Sequence, residues 1–116
     1  MMPPLDLSIV IPAYNEQARI GPTLEEYVAH FRGIYGDTFE VLVVLNGCRD
    51  NTREVVEGIA ASAPEVRLAE FVQRLGKGGA IWEGFALARG HCLAFADADN
   101  MVRASETEKL VRALET

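Results

Sequence analysis

The run Phe39-Glu40-Val41-Leu42-Val43-Val44-Leu45 is the most apolar in the chain, and it constrains the fold more than any other stretch. Such a continuous run reads as a central strand buried on both faces. Strands of that kind belong to parallel sheets with helices packed above and below.

The neighbouring segments supply the sheet and the helices. Leu7-Ser8-Ile9-Val10-Ile11 is a short β-branched run closed by Pro12, which reads as a first strand. Ile20, Leu24, Tyr27, Val28 and Phe31 recur at helical spacing and predict an amphipathic helix ending near Gly33 or Gly36. After Leu45, Asn51-x-x-Glu54 has the spacing of a capping box. The helix it opens carries Val55, Val56, Ile59, Ala60 and Ala63, and Pro64 stops it. Val66–Val72 alternates apolar and polar residues, as a half-exposed edge strand does. A third helix is expected from about Gly79 to Arg89, packing through Ala80, Ile81, Phe85 and Ala88. Gly79 and Gly84 would let it approach the sheet closely, and Gly90 ends it. Cys92-Leu93-Ala94-Phe95-Ala96 is the fourth strand. Ser105-x-x-Glu108 then opens a last helix with Leu110, Val111 and Leu114 on one side.

Four strand–helix repeats in succession imply an α/β fold with right-handed crossovers. The expected arrangement is a Rossmann-like parallel sheet with strand order 3-2-1-4 and helices on both faces. Its switch point lies between the first and fourth strands. The loops Pro12–Glu16, Asn46–Thr52 and Asp97–Asn100 would then open onto one crevice, where open α/β sheets keep their ligands.

The 116 residues fit a single domain, 1–116. A net charge of −6 excludes a general nucleic-acid binder, which needs a basic face, but not a nucleotide binder. The N-terminus lacks the basic region of a signal peptide, and no apolar run approaches the ~18 residues of a membrane span. Cys48 and Cys92 fit neither a metal-ligand spacing nor a disulfide framework. Cys92 is expected in the core and Cys48 as an exposed loop thiol, which suits a reducing cytoplasm. Trp82 is expected to cover the core edge, and His91 to be a strand-start residue.

The chemistry concentrates at the strand ends. Asp97-Ala98-Asp99 places two carboxylates directly after an apolar strand. Both can reach one hard divalent cation, and Mg²⁺ commonly takes only one or two carboxylates beside substrate phosphates. A lone Asp-x-Asp is more often a solvated turn or cap, so the surrounding motifs decide its meaning. Gly76-Lys77-Gly78-Gly79 fails the Walker A spacing, and Ile81 stands where a dinucleotide fingerprint would require glycine. What remains is a Gly-rich entry to a helix N-terminus beside Arg74 and Lys77, a place suited to an anion or simply a tight turn. Tyr14 could stack a base, and Glu16 could accept from a ring N–H or a ribose hydroxyl; the alternative is a capped helix start, with Asn15 or Glu16 bonding backbone N–H groups. Asp50 could bind a ligand or cap its helix.

Taken together these segments resemble the family 2 glycosyltransferases of the GT-A fold, across nearly the whole chain. Ser8–Glu16 resembles that family's opening strand and loop, and Glu40–Thr52 its second strand and Asp-rich loop. Gly76-Lys77-Gly78-Gly79-Ala80 is similar to the Lys-Gly-Gly-Ala segment of the dolichyl- and polyprenyl-phosphate sugar transferases, and Asp97-Ala98-Asp99 to the metal-binding D-x-D. The resemblance implies a nucleotide-diphosphate sugar donor, UDP- or GDP-linked. Pro12, Tyr14, Glu16, Asn46, Asp50, Lys77 and Asp97 would bind it, and Asp99 with Asp97 would hold Mg²⁺ or Mn²⁺. Leu45-Asn46 stands where the family usually carries Asp-Asp, and Cys48 where it carries Ser.

The resemblance also implies more chain than is present, since the family's catalytic domain continues past D-x-D into an acceptor half. The expectation is therefore a donor-binding half of a GT-A domain, inactive alone, with the full-length form membrane-associated through a lipid-phosphate acceptor. An unpaired fourth strand would favour self-association. The alternative is a structural or assembly module that keeps the fold without donor binding. A nucleotidyltransferase is disfavoured, because Pro12–Glu16 supplies no Arg-rich glycine loop.

Overall fold

The computed structural model describes residues 5–115, so residues 1–4, part of the stretch read as lacking a signal peptide, lie outside it. The elements run β1 (Leu5–Ala13), α1 (Ile20–Tyr35), β2 (Phe39–Asn46), α2 (Thr52–Ala60), β3 (Val66–Phe71), α3 (Gly76–Leu87), β4 (Gly90–Phe95) and α4 (Ala104–Glu115). The strands form one 4-stranded sheet in the order β3-β2-β1-β4, and every pairing is parallel. This is the expected Rossmann-like α/β topology. β2 is buried from end to end, as its sequence required. β1 sits between two partners, with Ile9 level with Val41 on one side and Ala94 on the other.

Strand alternation sorts the core into two layers. Leu7, Ile9, Ile11, Val41, Val43 and Leu45 face α1, α2 and α4, meeting Leu24, Tyr27, Phe31, Val56 and Val111. Val10, Leu42 and Val44 face the other way, onto Ala80 of α3. Gly84 makes that second contact possible. A Cβ there would lie 2.4 Å from Val10 Cγ1 and 3.0 Å from Val44 Cγ2, so the helix backbone rests on the valines. Gly79 has no such role, because its nearest neighbour is Leu75 of the preceding turn.

Several local expectations give way to tertiary contacts. Neither capping box forms. Asn51 makes no side-chain cap, and Asp50 Oδ1 instead accepts the Thr52 N–H at 3.0 Å. α4 begins at Ala104, which places Ser105 inside the helix, and Glu26 of α1 accepts the Ala104 N–H at 2.8 Å. α3 begins at Gly76 rather than near Gly79. Val111 is buried on α4, but Leu110 and Leu114 are exposed, because the side facing the core is the Thr107–Val111 side. Trp82 is exposed rather than spread over the core edge. Cys48 is half-buried and its thiol donates to the Ala13 carbonyl at 3.3 Å, so it is not the exposed thiol expected; Cys92 packs against the main core.

Within the apolar β2 run, Glu40 is fully buried at the N-terminal end of the sheet. It accepts from Ser8 Oγ at 2.6 Å, Arg67 Nε at 2.6 Å and the Arg89 N–H at 2.7 Å. Burial pushes its carboxyl up, but these donors outweigh burial and hold it below the usual range. The cluster ties the starts of all four strands together, at the pole opposite the loops described next.

Candidate functional site

Parallel strands deliver their loops to one end of the sheet, and there the molecule has a cleft of about 250 Å³. Pro12, Ala13, Tyr14 and Glu16 line it from β1, Asn46 from β2, Arg74 and Lys77 from the β3–α3 connection, and Asp97, Ala98 and Asp99 from the end of β4. The sequence-predicted residues Pro12, Tyr14, Glu16, Asn46, Lys77, Asp97 and Asp99 therefore come together.

The cleft sets three carboxylates, Glu16, Asp97 and Asp99, against two cations, Arg74 and Lys77. Lys77 Nζ lies 2.5 Å from Asp97 Oδ1. Asp99 Oδ1 accepts the Met101 N–H at 3.1 Å, which leaves Oδ2 for a ligand. Arg74 lies over the Tyr14 ring, 4.0 Å from its centre, a cation–π contact that marks the same face on which a flat ligand would stack. Glu16 Oε1 binds Arg19 at 2.6 Å, whereas Oε2 is buried without a partner. A buried carboxylate oxygen without a donor is costly unless a ligand supplies one. Asn46 is buried, and both ends of its carboxamide are engaged: Oδ1 accepts the Leu75 N–H at 2.6 Å and Nδ2 donates to the Gly76 carbonyl at 3.1 Å.

Comparison with known proteins shows the family. The profile described as Glycosyl transferase family 2 matches residues 8–116. The chain belongs to that family. It is 40% identical over 118 residues to a dolichyl-phosphate beta-glucosyltransferase of Drosophila melanogaster, covering 97% of this chain and 36% of the relative. The corresponding Saccharomyces cerevisiae protein is 37% identical over 113 residues, covering 93% of this chain and 34% of the relative. Among solved structures, the mannosyltransferase PcManGT from Pyrobaculum calidifontis, in complex with GDP-Man and Mn²⁺, superposes with a TM-score of 0.72. That match has 28% identity and covers 84% of this chain and 30% of the other. The S. aureus TarS 1–349 complex with UDP-GlcNAc has the same fold, with a TM-score of 0.74 at 20% identity over 96% of this chain and 31% of the other. The chain thus spans about a third of the length of the curated relatives it matches.

For a family 2 chain the placement of Asp50 is notable, because it stands outside the cleft lining. Its Oδ1 accepts from the Thr52 hydroxyl at 2.5 Å and its Oδ2 from the Gln17 N–H at 3.4 Å. Burial pushes its carboxyl up, but the donors from Thr52 and Gln17 outweigh this and hold it low. Asp50 joins Asn15, whose side-chain oxygen accepts the Arg49 N–H at 2.8 Å, in lacing the β1 and β2 loops together.

The support of the Asp97–Asp99 loop escaped the sequence. Thr23 donates from a buried hydroxyl to the Ala98 carbonyl at 2.8 Å, between the two carboxylates. One turn on, Glu26 accepts from Asn100 Nδ2 at 3.3 Å and Arg103 Nε at 3.0 Å, and Tyr27 donates to the Val102 carbonyl at 2.7 Å. These side chains share one face of α1 at i, i+3 and i+4. Of the three only Tyr27 stood out in the sequence, as part of the apolar face, and the partners lie far along the chain.

Among the described residues no group of three His, Cys, Asp or Glu side chains could by itself enclose a metal. Asp97 and Asp99 offer an open donor pair instead. This fits Mg²⁺ or Mn²⁺ completed by water and phosphate oxygens, rather than a closed protein cage.

Proposed function

We propose that this chain is the donor-binding part of a glycosyltransferase that takes a nucleotide-diphosphate sugar together with a divalent metal. The observation that carries the reading is the cleft itself. Loops from β1, β2, β4 and the β3–α3 connection bring an aromatic face, a carboxylate oxygen without a donor, two cations and a carboxylate pair to one cavity. Tyr14 stacks the base in place of Arg74, and Glu16 Oε2 accepts from the base or ribose. Lys77 and Arg74 neutralise the diphosphate once it enters. Asp99 and Asp97 would hold Mg²⁺ or Mn²⁺, and the bound ion would supply Lewis-acid stabilisation of the leaving nucleoside diphosphate. Lys77 must move from Asp97 for this, and the two side chains are 59% and 35% exposed, so the exchange is cheap.

The relatives named above support a polyprenyl-phosphate acceptor. An acceptor phosphate is ionised at neutral pH and needs no strong general base. The acceptor site then belongs to the part of the relatives' length that this chain does not span, this segment binds donor without transferring it, and the whole protein works at the cytoplasmic face of a membrane. Among the described residues no helix is long and apolar enough to cross a membrane.

Calorimetric titration with UDP and GDP, each with and without Mn²⁺, tests the reading. The expected result is metal-dependent binding to one of the two, weakened at least about tenfold by Asp99→Ala. Absence of binding at millimolar nucleotide would overturn the donor-site reading and favour a structural module.

A further inference from the structure

Arg74 and Lys77 stand on an exposed stretch, and α3 starts at Gly76 with no side-chain cap from Leu75 before it. Gly76 itself has φ +78°, a left-handed conformation that does little to stiffen the entry. What holds this backbone comes from β2. Asn46, at the buried end of that strand, grips the Leu75 N–H and the Gly76 carbonyl. Gly47 packs beneath the same segment, where a Cβ would lie 3.0 Å from the Arg74 nitrogen and 3.1 Å from its Cα. Its N–H also donates to the Phe71 carbonyl at 2.8 Å, securing the start of the connection.

We propose that Asn46 is a positioning residue for the cationic wall of the cleft: it fixes Arg74 and Lys77 against the diphosphate and does not read the base. Its consequence for ligands rests on the donor-binding reading above. The chemistry favours an amide. The two gripped atoms are a donor and an acceptor on successive residues, and a carboxamide matches both in one orientation only. A carboxylate at position 46 could accept the Leu75 N–H but would turn its second oxygen on the Gly76 carbonyl, two acceptors facing each other in a buried place. The amide therefore makes a clamp that a carboxylate at this position could not make. Each end of the amide already holds one partner in the clamp, so the connection and not a base sets the orientation of the carboxamide.

The test uses Asn46→Asp and, as a smaller neutral replacement should the first fail to fold, Asn46→Ser. Limited trypsin digestion reads the clamp without ligand. Cleavage after Arg74 and Lys77 is expected to accelerate about tenfold relative to cleavage after Arg103 in the same sample. Unchanged relative cleavage overturns the clamp. Titration with Mn²⁺ and inorganic pyrophosphate, beside UDP and GDP, reads the consequence. Pyrophosphate and nucleotide affinity are expected to fall by the same factor, about three- to tenfold. A fall for the nucleotide alone would make Asn46 a base reader and overturn the proposal. In an Arg74→Gln/Lys77→Gln background, the neutral Asn46→Ser is expected to cost no further affinity; an additive loss also overturns it. If the unaltered chain binds neither pyrophosphate nor nucleotide, the donor reading fails, and the trypsin ratio still decides the clamp.

Discussion

Lys77 shows how little a contact in the cleft contributes to the fold and how much it can contribute to a ligand. Its pair with Asp97 is largely solvated, and exposed pairs are worth about 0–1 kcal/mol. Lys77→Met is therefore expected to shift urea-unfolding stability by less than about 0.5 kcal/mol. The same change is expected to weaken nucleotide-diphosphate binding about tenfold in calorimetry, because it removes a cation from the phosphate end. Tyr14, Lys77, Asp97 and Asp99 were legible as site candidates, since each directly follows a strand or opens a helix on the ligand side of a parallel sheet. Asn46 was legible as a position but not as a role. Its partners lie in the next crossover, so only the fold shows that its amide is spent on Leu75 and Gly76.

At the scale of elements, two contacts decide how helices seat on the sheet. Gly84→Ala gains about 1 kcal/mol of helix propensity. It also drives a methyl into Val10 and Val44, both buried and stiff at χ1, and such overpacking costs about 1–3 kcal/mol or more. A net loss is expected in urea unfolding. The second contact joins α1 to α4. Glu26 sits at about 2 rather than its ordinary 4.5, because Arg103 and the Ala104 N–H bind its carboxylate, with burial opposing and Asn100 adding to the effect. A depressed carboxyl stabilises the fold above its ordinary value, and that stabilisation fades as pH falls through the folded value. Glu26→Gln is thus expected to cost about 1–3 kcal/mol at neutral pH. The gap in thermal midpoint between it and the unaltered chain should close between pH 4.5 and about 2. A gap independent of pH would show that the carboxylate charge is not what seats α4. Neither contact is written in helical periodicity, which names the faces of a helix but not the polar groups waiting on another element.

For the whole molecule, the radius of gyration of 13.0 Å is that of a compact chain of this length. One flank nevertheless stays open. Among the described residues β4 pairs only with β1, and Phe95, Leu110 and Leu114 are 51%, 64% and 68% exposed beside its other edge. A free strand edge beside apolar side chains invites a second chain. Concentration-dependent self-association is expected in light scattering, and a monomer at high concentration would count against it. The sequence by itself determined the element order, the parallel sheet with β2 at its heart, and the end of that sheet at which the chemistry gathers. Those features follow from hydrophobic period and from strand–helix alternation, which are local and leave few topologies. Only the tertiary structure decided which groups cap the helices, which side chains hold the Asp97–Asp99 loop, and why a carboxylate lies in the most apolar run. Each of these is a pairing between polar groups distant in sequence, and a buried donor or acceptor takes whichever partner the fold brings within reach.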